Sequence, residues 1–119
     1  MNKELKASRL REFVEFVLWL VRRRRRFRVR NNSMQPLLQP GEEVLINPAA
    51  YRYTEPQPGD IVVVVHPYQP DLRMIKRLTA VVDDHRYFVE GDNSAESTDS
   101  RNFGPIGLEH IVGQVTSRF

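Results

Sequence analysis

The chain has 119 residues, 40% of them apolar, which is enough for one domain with a modest core and excludes a wholly disordered chain. It contains no cysteine, so disulfides, thiolate metal ligands and a cysteine nucleophile are excluded. The formal net charge is +3, but residues 1–30 hold eleven Lys or Arg and three Glu, whereas residues 31–119 hold seven and twelve. The basic character therefore belongs to residues 1–30, which favours a membrane surface, nucleic acid or an acidic protein patch as partner.

The first predicted element is an amphipathic helix of about twenty residues, with Asn2 as its N-cap and Glu4 in its first turn. One face carries apolar residues at three-four spacing: Leu10, Phe13, Val14, Val17, Leu18 and Val21. The apolar stretch 13–21 is shorter than the roughly 20 residues of a membrane span. Three interpretations stay open: packing on the domain or a partner chain, an interfacial membrane helix, or nucleic-acid binding through the arginines at 22–26. Nucleic acid is disfavoured because no helix-turn-helix pattern accompanies the arginines.

From Phe27 onward, prolines, glycines and short β-branched runs replace the helical period. Strands are predicted at residues 27–30, 43–46, 61–66, 72–82, 87–89 and 111–115. Pro40-Gly41 and Pro58-Gly59-Asp60 mark turns, because proline fixes φ and glycine permits positive φ. The sequence therefore predicts a helix and basic run over residues 1–26, followed by a compact, mainly β domain over 27–119.

Ser33 follows two asparagines, Asn31 and Asn32, which favour a tight turn because asparagine tolerates left-handed backbone geometry. A serine held in such a turn presents its hydroxyl with backbone N–H groups nearby, as an oxyanion site requires. On this pattern alone Ser33 is either a nucleophile or an ordinary turn residue.

Lys76 is the charged residue on the apolar face of the predicted strand 72–82, beside Leu72, Met74, Leu78 and Ala80. The other, polar face carries Arg73, Arg77 and Thr79. Burial disfavours an ammonium group and lowers its pKa, so Lys76 suits a general base. The alternative is a lysine whose stem covers apolar surface while its amine reaches water.

Residues 91–104 form a long polar segment with glycine at each end, which is typical of a surface loop or of a loop that supports a site. His66, His85 and His110 lack metal-ligand spacing, and no phosphate-binding glycine loop is present. No cofactor and no metal site are therefore expected.

Four segments, in order, resemble the signal peptidase I family of Ser-Lys proteases, whose relatives include the self-cleaving domains of LexA-type repressors. They are residues 33–45, beginning Ser33-Met34-Gln35-Pro36; Pro58-Gly59-Asp60-Ile61-Val62; Ile75-Lys76-Arg77-Leu78; and residues 91–104. The resemblance implies that family's β fold, preceded here by the amphipathic helix.

The same resemblance implies roles for individual residues. Ser33 matches the nucleophile, Lys76 the general base, and Ser97 the hydroxyl that orients the lysine amine. Asn31 stands where many signal peptidases have a small hydroxyl residue, so its amide is expected to complete the oxyanion hole with the Ser33 N–H. Supporting positions are matched by Asp99 and Arg101, and by a structural box of Gly91, Asp92 and Asn93.

A narrower resemblance, to nickel-type superoxide dismutase maturation proteases, is carried by residues 68–73, the arginine-rich segment and residues 115–119. It implies a serine endopeptidase that removes an N-terminal extension from a dismutase precursor, with nickel belonging to the substrate. We expect a cytoplasmic protein, peripheral to the inner membrane where the basic segment touches lipid. The alternatives are a membrane-associated signal peptidase acting on exported proteins, and a non-proteolytic binding or regulatory module of the same fold.

Overall fold

The computed structural model describes residues 9–119. In chain order these residues form helix α1 (Arg9–Leu20), strands β1 (Arg25–Arg28), β2 (Glu43–Asn47), β3 (Ile61–His66), β4 (Gln69–Asp83) and β5 (Arg86–Glu90), helix α2 (Ser100–Phe103), and strands β6 (Ile106–Gly107) and β7 (Ile111–Arg118). The strands form one antiparallel sheet in the order β1-β2-β7-β3-β4-β5-β6. The prediction of a mainly β fold behind an N-terminal helix is confirmed.

The centre of the sheet is buried on both faces, which explains the uninterrupted apolar run of β3. Val63 packs in one core cluster with Ile75 of β4, whereas Val62 packs in a second cluster with Met74 and Leu78. Residues 74–78 of β4 are likewise all buried, because β4 lies between β3 and β5. A strand covered on both sides needs consecutive apolar residues rather than strict alternation.

The two predicted Pro-Gly turns are confirmed. Gly41 and Gly59 have φ of 92° and 98°, a conformation that costs a residue with a Cβ about 1–2 kcal/mol. The second turn is fastened to β4, because the Gly59 N–H donates to the Leu78 carbonyl over 2.7 Å. This pairing fixes the entry of β3 next to the strand that carries Lys76.

Helix α1 lies with its polar side toward the sheet and its apolar side toward solvent. Glu15 is only 6% exposed and accepts hydrogen bonds from the Thr116 hydroxyl of β7 and from Arg24, the latter over 3.0 Å. Arg11 donates to the Thr116 carbonyl over 3.1 Å. The predicted apolar face does not pack on the domain: Leu10 and Phe13 are 74% and 65% exposed.

The end of α1 is a Schellman turn that leads the chain directly into β1. The Arg22 N–H donates to Trp19 and the Arg23 N–H donates to Leu18, while Arg22 adopts φ of 65°. The Trp19 ring meets the ring of Phe119 edge-on with centroids 5.0 Å apart. Arg26 of β1 lies over the Phe119 ring at 4.4 Å, so aromatic and cation–π contacts hold this end of the helix on the sheet.

Several element boundaries differ from the predictions. Strand β1 begins at Arg25 rather than Phe27, and β4 is longer than predicted. Helix α2 and strand β6 were not predicted. The predicted N-cap Asn2 and the first-turn Glu4 lie outside the described residues. The division of the chain at residue 26 stays a prediction.

Candidate active site

Lys76 is held at the middle of β4 and is 2% exposed. It shares a face of the strand with Met74 and Leu78, both of which pack in the second core cluster. Its register partner on β3 is Val62, which is fully buried. The amine is therefore carried by a rigid, apolar element and not by a loop.

Burial lowers the pKa of Lys76 from 10.5 to about 8. The negative charge of Asp99 opposes this shift, and the positive charge of Arg101 adds to it. The Lys76 amine donates to the Ser97 hydroxyl over 2.9 Å. A pKa of about 8 leaves a useful fraction of the amine neutral near pH 7, which a general base needs.

Ser97 is itself oriented by a buried carboxylate. Its hydroxyl donates to Asp99 over 2.6 Å, so its oxygen lone pairs face the Lys76 amine. Asp99 is 0% exposed and also accepts from the Gly91 N–H over 2.9 Å and from the Arg101 guanidinium over 2.5 Å and 2.9 Å. Burial alone raises the pKa of Asp99, but the hydrogen bonds from Arg101, Ser97 and the backbone outweigh it and hold that pKa well below its usual range.

The Ser33 segment meets the Ser97 segment at Gly91. A Cβ built on Gly91 would lie 2.6 Å from the Ser33 carbonyl oxygen and 2.3 Å from the Ser97 hydroxyl oxygen, so only glycine fits between them. Asn93 fastens the same place, since its N–H donates to the Ser33 carbonyl over 2.8 Å and its side-chain amide donates to the Asn32 carbonyl over 3.1 Å. The structure thus brings Ser33, Ser97 and Lys76 to one corner of the domain.

Asn31 is close to Ser33, but in the opposite sense to the predicted one. Its side-chain oxygen accepts a hydrogen bond from the Ser33 N–H over 3.1 Å. The Asn31 side chain was expected to donate a hydrogen bond next to the Ser33 N–H. In the structure it instead accepts the hydrogen bond of that N–H. Ser33 is 2% exposed in this arrangement. A carbonyl oxygen that uses the Ser33 N–H has to displace the Asn31 side chain.

Asp92 lies beside the site but serves Arg77, not the lysine. Arg77 donates to Asp92 through two nitrogens over 2.9 Å and 3.0 Å, and to the Gly59 carbonyl over 3.3 Å. The expectation of a polar face around Arg77 is wrong, because Arg77 is 7% exposed and its neighbour Ile75 packs in the first core cluster. The ion pair joins β4 to the segment that follows β5, and so helps to hold that segment next to the strand that carries Lys76.

Three contacts at the site were not predicted from the sequence. They are the acceptor role of Asn31, the ion pair of Arg77 with Asp92, and the two hydrogen bonds that Asn93 donates to the carbonyls of Asn32 and Ser33. Each of these contacts joins residues on separate elements or depends on which way a side-chain amide points. The periodicity of a sequence predicts neither of these features.

Comparison with known proteins places the chain in a family. The model of the family "Signal peptidase, peptidase S26" matches residues 13–85 and 79–119. The chain belongs to this family. The ordered motifs that suggested the signal peptidase I resemblance fall within the matched residues.

The relatives include organellar and bacterial peptidases. The chain is 38% identical over 110 residues to "Mitochondrial inner membrane protease subunit 2" of Mus musculus, covering 75% of this chain and 63% of the relative. It is 36% identical over 108 residues to "Mitochondrial ATP-independent inner membrane protease subunit 1b" of Arabidopsis thaliana, covering 72% and 64%. It is 37% identical over 65 residues to "Signal peptidase I" of Aquifex aeolicus, covering 51% and 25%.

The chain thus spans less than two thirds of the length of these relatives. No helix among residues 9–119 combines the length and apolar character needed to cross a membrane. The narrower resemblance to dismutase maturation proteases stays a prediction.

Proposed function

We propose that the chain is a serine endopeptidase in which Ser33 is the nucleophile and Lys76 the general base. The observation that carries this proposal is the Lys76 amine, whose pKa is lowered to about 8 by burial and which is bonded to Ser97 at the corner where Gly91 meets Ser33. A Ser-Lys pair performs the proton transfers that histidine performs in a catalytic triad.

In the first half-reaction, neutral Lys76 takes the proton of the Ser33 hydroxyl as the serine oxygen attacks the scissile carbonyl carbon. The substrate carbonyl displaces the Asn31 oxygen from the Ser33 N–H, which then donates to the oxyanion. Protonated Lys76 passes its proton to the leaving amine, and the C–N bond breaks to give an acyl-enzyme.

In the second half-reaction, a water molecule gives a proton to Lys76 as its oxygen attacks the acyl carbon. The acyl C–O bond then breaks, and Lys76 returns that proton to the Ser33 oxygen. Ser97 and Asp99 act as positioning residues throughout, because they hold the amine of Lys76 in one direction. Asp92, Asn93 and Arg101 support the segment that carries them.

The substrate is proposed to be a precursor protein that loses an N-terminal extension. The narrower resemblance favours a nickel-type superoxide dismutase precursor, in which nickel belongs to the product and not to this protein. The similarity to an inner membrane protease subunit and to a signal peptidase I favours the alternative, a membrane-associated signal peptidase that acts on exported proteins. Incubation with each precursor, followed by mass determination of the new N-terminus, decides between them.

The catalytic roles are tested on whichever precursor is cleaved. Ser33→Ala and Lys76→Ala are each expected to abolish cleavage, whereas two controls keep it: Ser94→Ala, at an exposed serine in the same region, and Arg73→Ala, at an exposed position of the same strand. For the wild-type protein, kcat/KM should rise with pH and level off above about 8, as the amine loses its proton. Full cleavage by either active-site variant rules out the Ser-Lys mechanism.

A further inference from the structure

The outward face of α1 is an apolar surface exposed to solvent, on a helix whose opposite side is bonded to the sheet. Its side toward the sheet is tied down by Arg11, Glu15 and Trp19. Seven apolar side chains remain exposed: Leu10, Phe13, Val14, Phe16, Val17, Leu20 and Val21, at 39% to 74%. At 100° per residue these positions cover a continuous arc of the helix, opposite the buried Glu15. An apolar surface of this kind marks an interaction site.

Unpaired positive charge adjoins this surface. Arg22 and Arg23 follow the last exposed apolar residue directly, and Arg25 comes two residues later. All three are exposed, and none of them forms an ion pair within the described part of the chain. By contrast, Arg24 and Arg26 are neutralised by Glu15 and Glu43. The outward face of α1 and its free arginines thus make up an apolar and cationic surface.

Charge decides which partner this surface fits. Residues 1–30 hold eleven Lys or Arg against three Glu, so two copies joined through α1 would bring like charges together. An anionic lipid surface complements both features, because acyl chains accept the apolar side chains while phosphate groups attract the arginines.

We propose that α1 docks the protein on an anionic lipid bilayer surface, with residues 10–21 lying along the interface and Arg22, Arg23 and Arg25 contacting lipid phosphates. The helix lies flat, because its opposite side stays bonded to Thr116 of β7. This inference rests on α1 and the arginines that follow it, and it is independent of the proposed peptidase activity.

The first test is co-flotation of the full chain with vesicles of phosphatidylcholine alone, or with about one third phosphatidylglycerol. Binding is expected for the anionic vesicles and should fall steeply as salt rises to about 0.5 M. Phe13→Ser with Val17→Ser should weaken binding at least about tenfold. The control, Val81→Ser with Val82→Ser, removes two similarly exposed valines from β4 and should bind like wild type. Circular dichroism melts establish that each variant folds.

The charge contribution is tested in the same way. Arg22→Gln with Arg23→Gln should weaken binding about tenfold or more, since each arginine contributes about fivefold at an anionic surface. Arg52→Gln with Arg73→Gln removes two other exposed arginines that form no ion pair within residues 9–119, and should have much less effect. Equal loss in both pairs would mean that net charge alone attracts the protein, and would overturn the assigned surface.

Insertion of the helix face is measured separately. Because α1 carries the chain's own tryptophan, both probes are placed in a Trp19→Phe background. There Phe13→Trp should show blue-shifted emission and quenching by brominated lipid, whereas Tyr53→Trp, at a position 90% exposed, should show neither. The proposal is overturned if the wild-type protein binds neutral and anionic vesicles equally well, or binds neither. It is also overturned by a wild-type dimer in sedimentation that Phe13→Ser with Val17→Ser converts to a monomer, because a second copy would then cover the face.

Discussion

Replacing Lys76 by methionine should make the protein more stable at neutral pH while removing its activity. The substitution keeps a long unbranched side chain but removes the ionisable amine from a position that is 2% exposed. Burial lowers the pKa of Lys76 from 10.5 to about 8, and each pKa unit corresponds to about 1.4 kcal/mol. Holding the ammonium form in the folded protein therefore costs about 3 kcal/mol below pH 8.

Lys76→Met removes this cost, but it also removes the hydrogen bond from Lys76 to Ser97, which contributes about 1 kcal/mol to stability. Lys76→Met is thus expected to raise the free energy of unfolding by about 2 kcal/mol at pH 7. The unfolded chain binds this proton up to its ordinary pKa of 10.5, whereas the folded chain releases it near 8. Wild-type stability consequently rises with pH between these values, and the advantage of the variant disappears there.

Urea unfolding followed by far-UV circular dichroism at several pH values from 7 to about 11 measures both effects. Arg73→Met is the matched control, because it removes a positive charge from an exposed position of the same strand. Its stability difference from wild type should be small and should not change between pH 8 and 10.5.

The pKa itself can be observed directly. The chain has three lysines, Lys3, Lys6 and Lys76, so selective isotope labelling gives three side-chain signals in NMR spectra. One signal should titrate near pH 8 and should be missing from Lys76→Met. Three lysines that all titrate above pH 10, together with a variant that is less stable at every pH, would refute the reasoning.

Two further predictions concern the groups around the dyad. Asn31→Asp should lower kcat/KM by about a hundredfold or more, since a carboxylate beside the Ser33 N–H repels the developing oxyanion, whereas Asn32→Asp at the exposed neighbour should have little effect. Activities within threefold of each other would argue against an oxyanion site at Ser33. Asp99→Asn should destabilise the fold by about 2–3 kcal/mol at pH 7, because its amide cannot accept from Arg101, Gly91 and Ser97 together. The stability difference between wild type and Asp99→Asn should shrink as pH falls below about 4, where the carboxylate of the unfolded chain takes up a proton. Asp71→Asn, at an exposed position, is the control. A stability difference that persists at low pH would contradict the assigned charge of Asp99.

Much of the fold follows from local sequence signals. The run from Ile61 to Val65 predicts a buried strand, and Gly41 and Gly59 predict turns, because each depends on properties of adjacent residues. The short elements α2 and β6 had no such signal. Helix α2 begins at a cap formed by Asp99, whose carboxylate also accepts from the Gly91 N–H and the Ser97 hydroxyl, which lie outside the helix.

Hydrophobic periodicity identified the apolar side of α1 but gave no information about what covers it. The direction in which the helix faces is set by Glu15 and Thr116, which are 101 residues apart in the chain. In the same way, alternation along β4 placed Arg77 on a polar face, but the long-range pairing with Asp92 allows it to be buried. The positions of Ser33, Lys76 and Ser97 in one corner could be anticipated from the family resemblance, whereas the direction of the Asn31 amide could not.

The two halves of the proposed dyad rest on elements of very different robustness. Lys76 lies on a central strand packed on both faces, whereas Ser33 follows β1, a four-residue strand at the edge of the sheet whose side chains are mostly exposed. Ser33 is nevertheless held by its neighbour Met34, which is buried in the first core cluster, and by the hydrogen bond from Asn93. Fraying of β1 on warming should therefore leave nucleophile and base together, so that heat inactivation would coincide with melting of the domain.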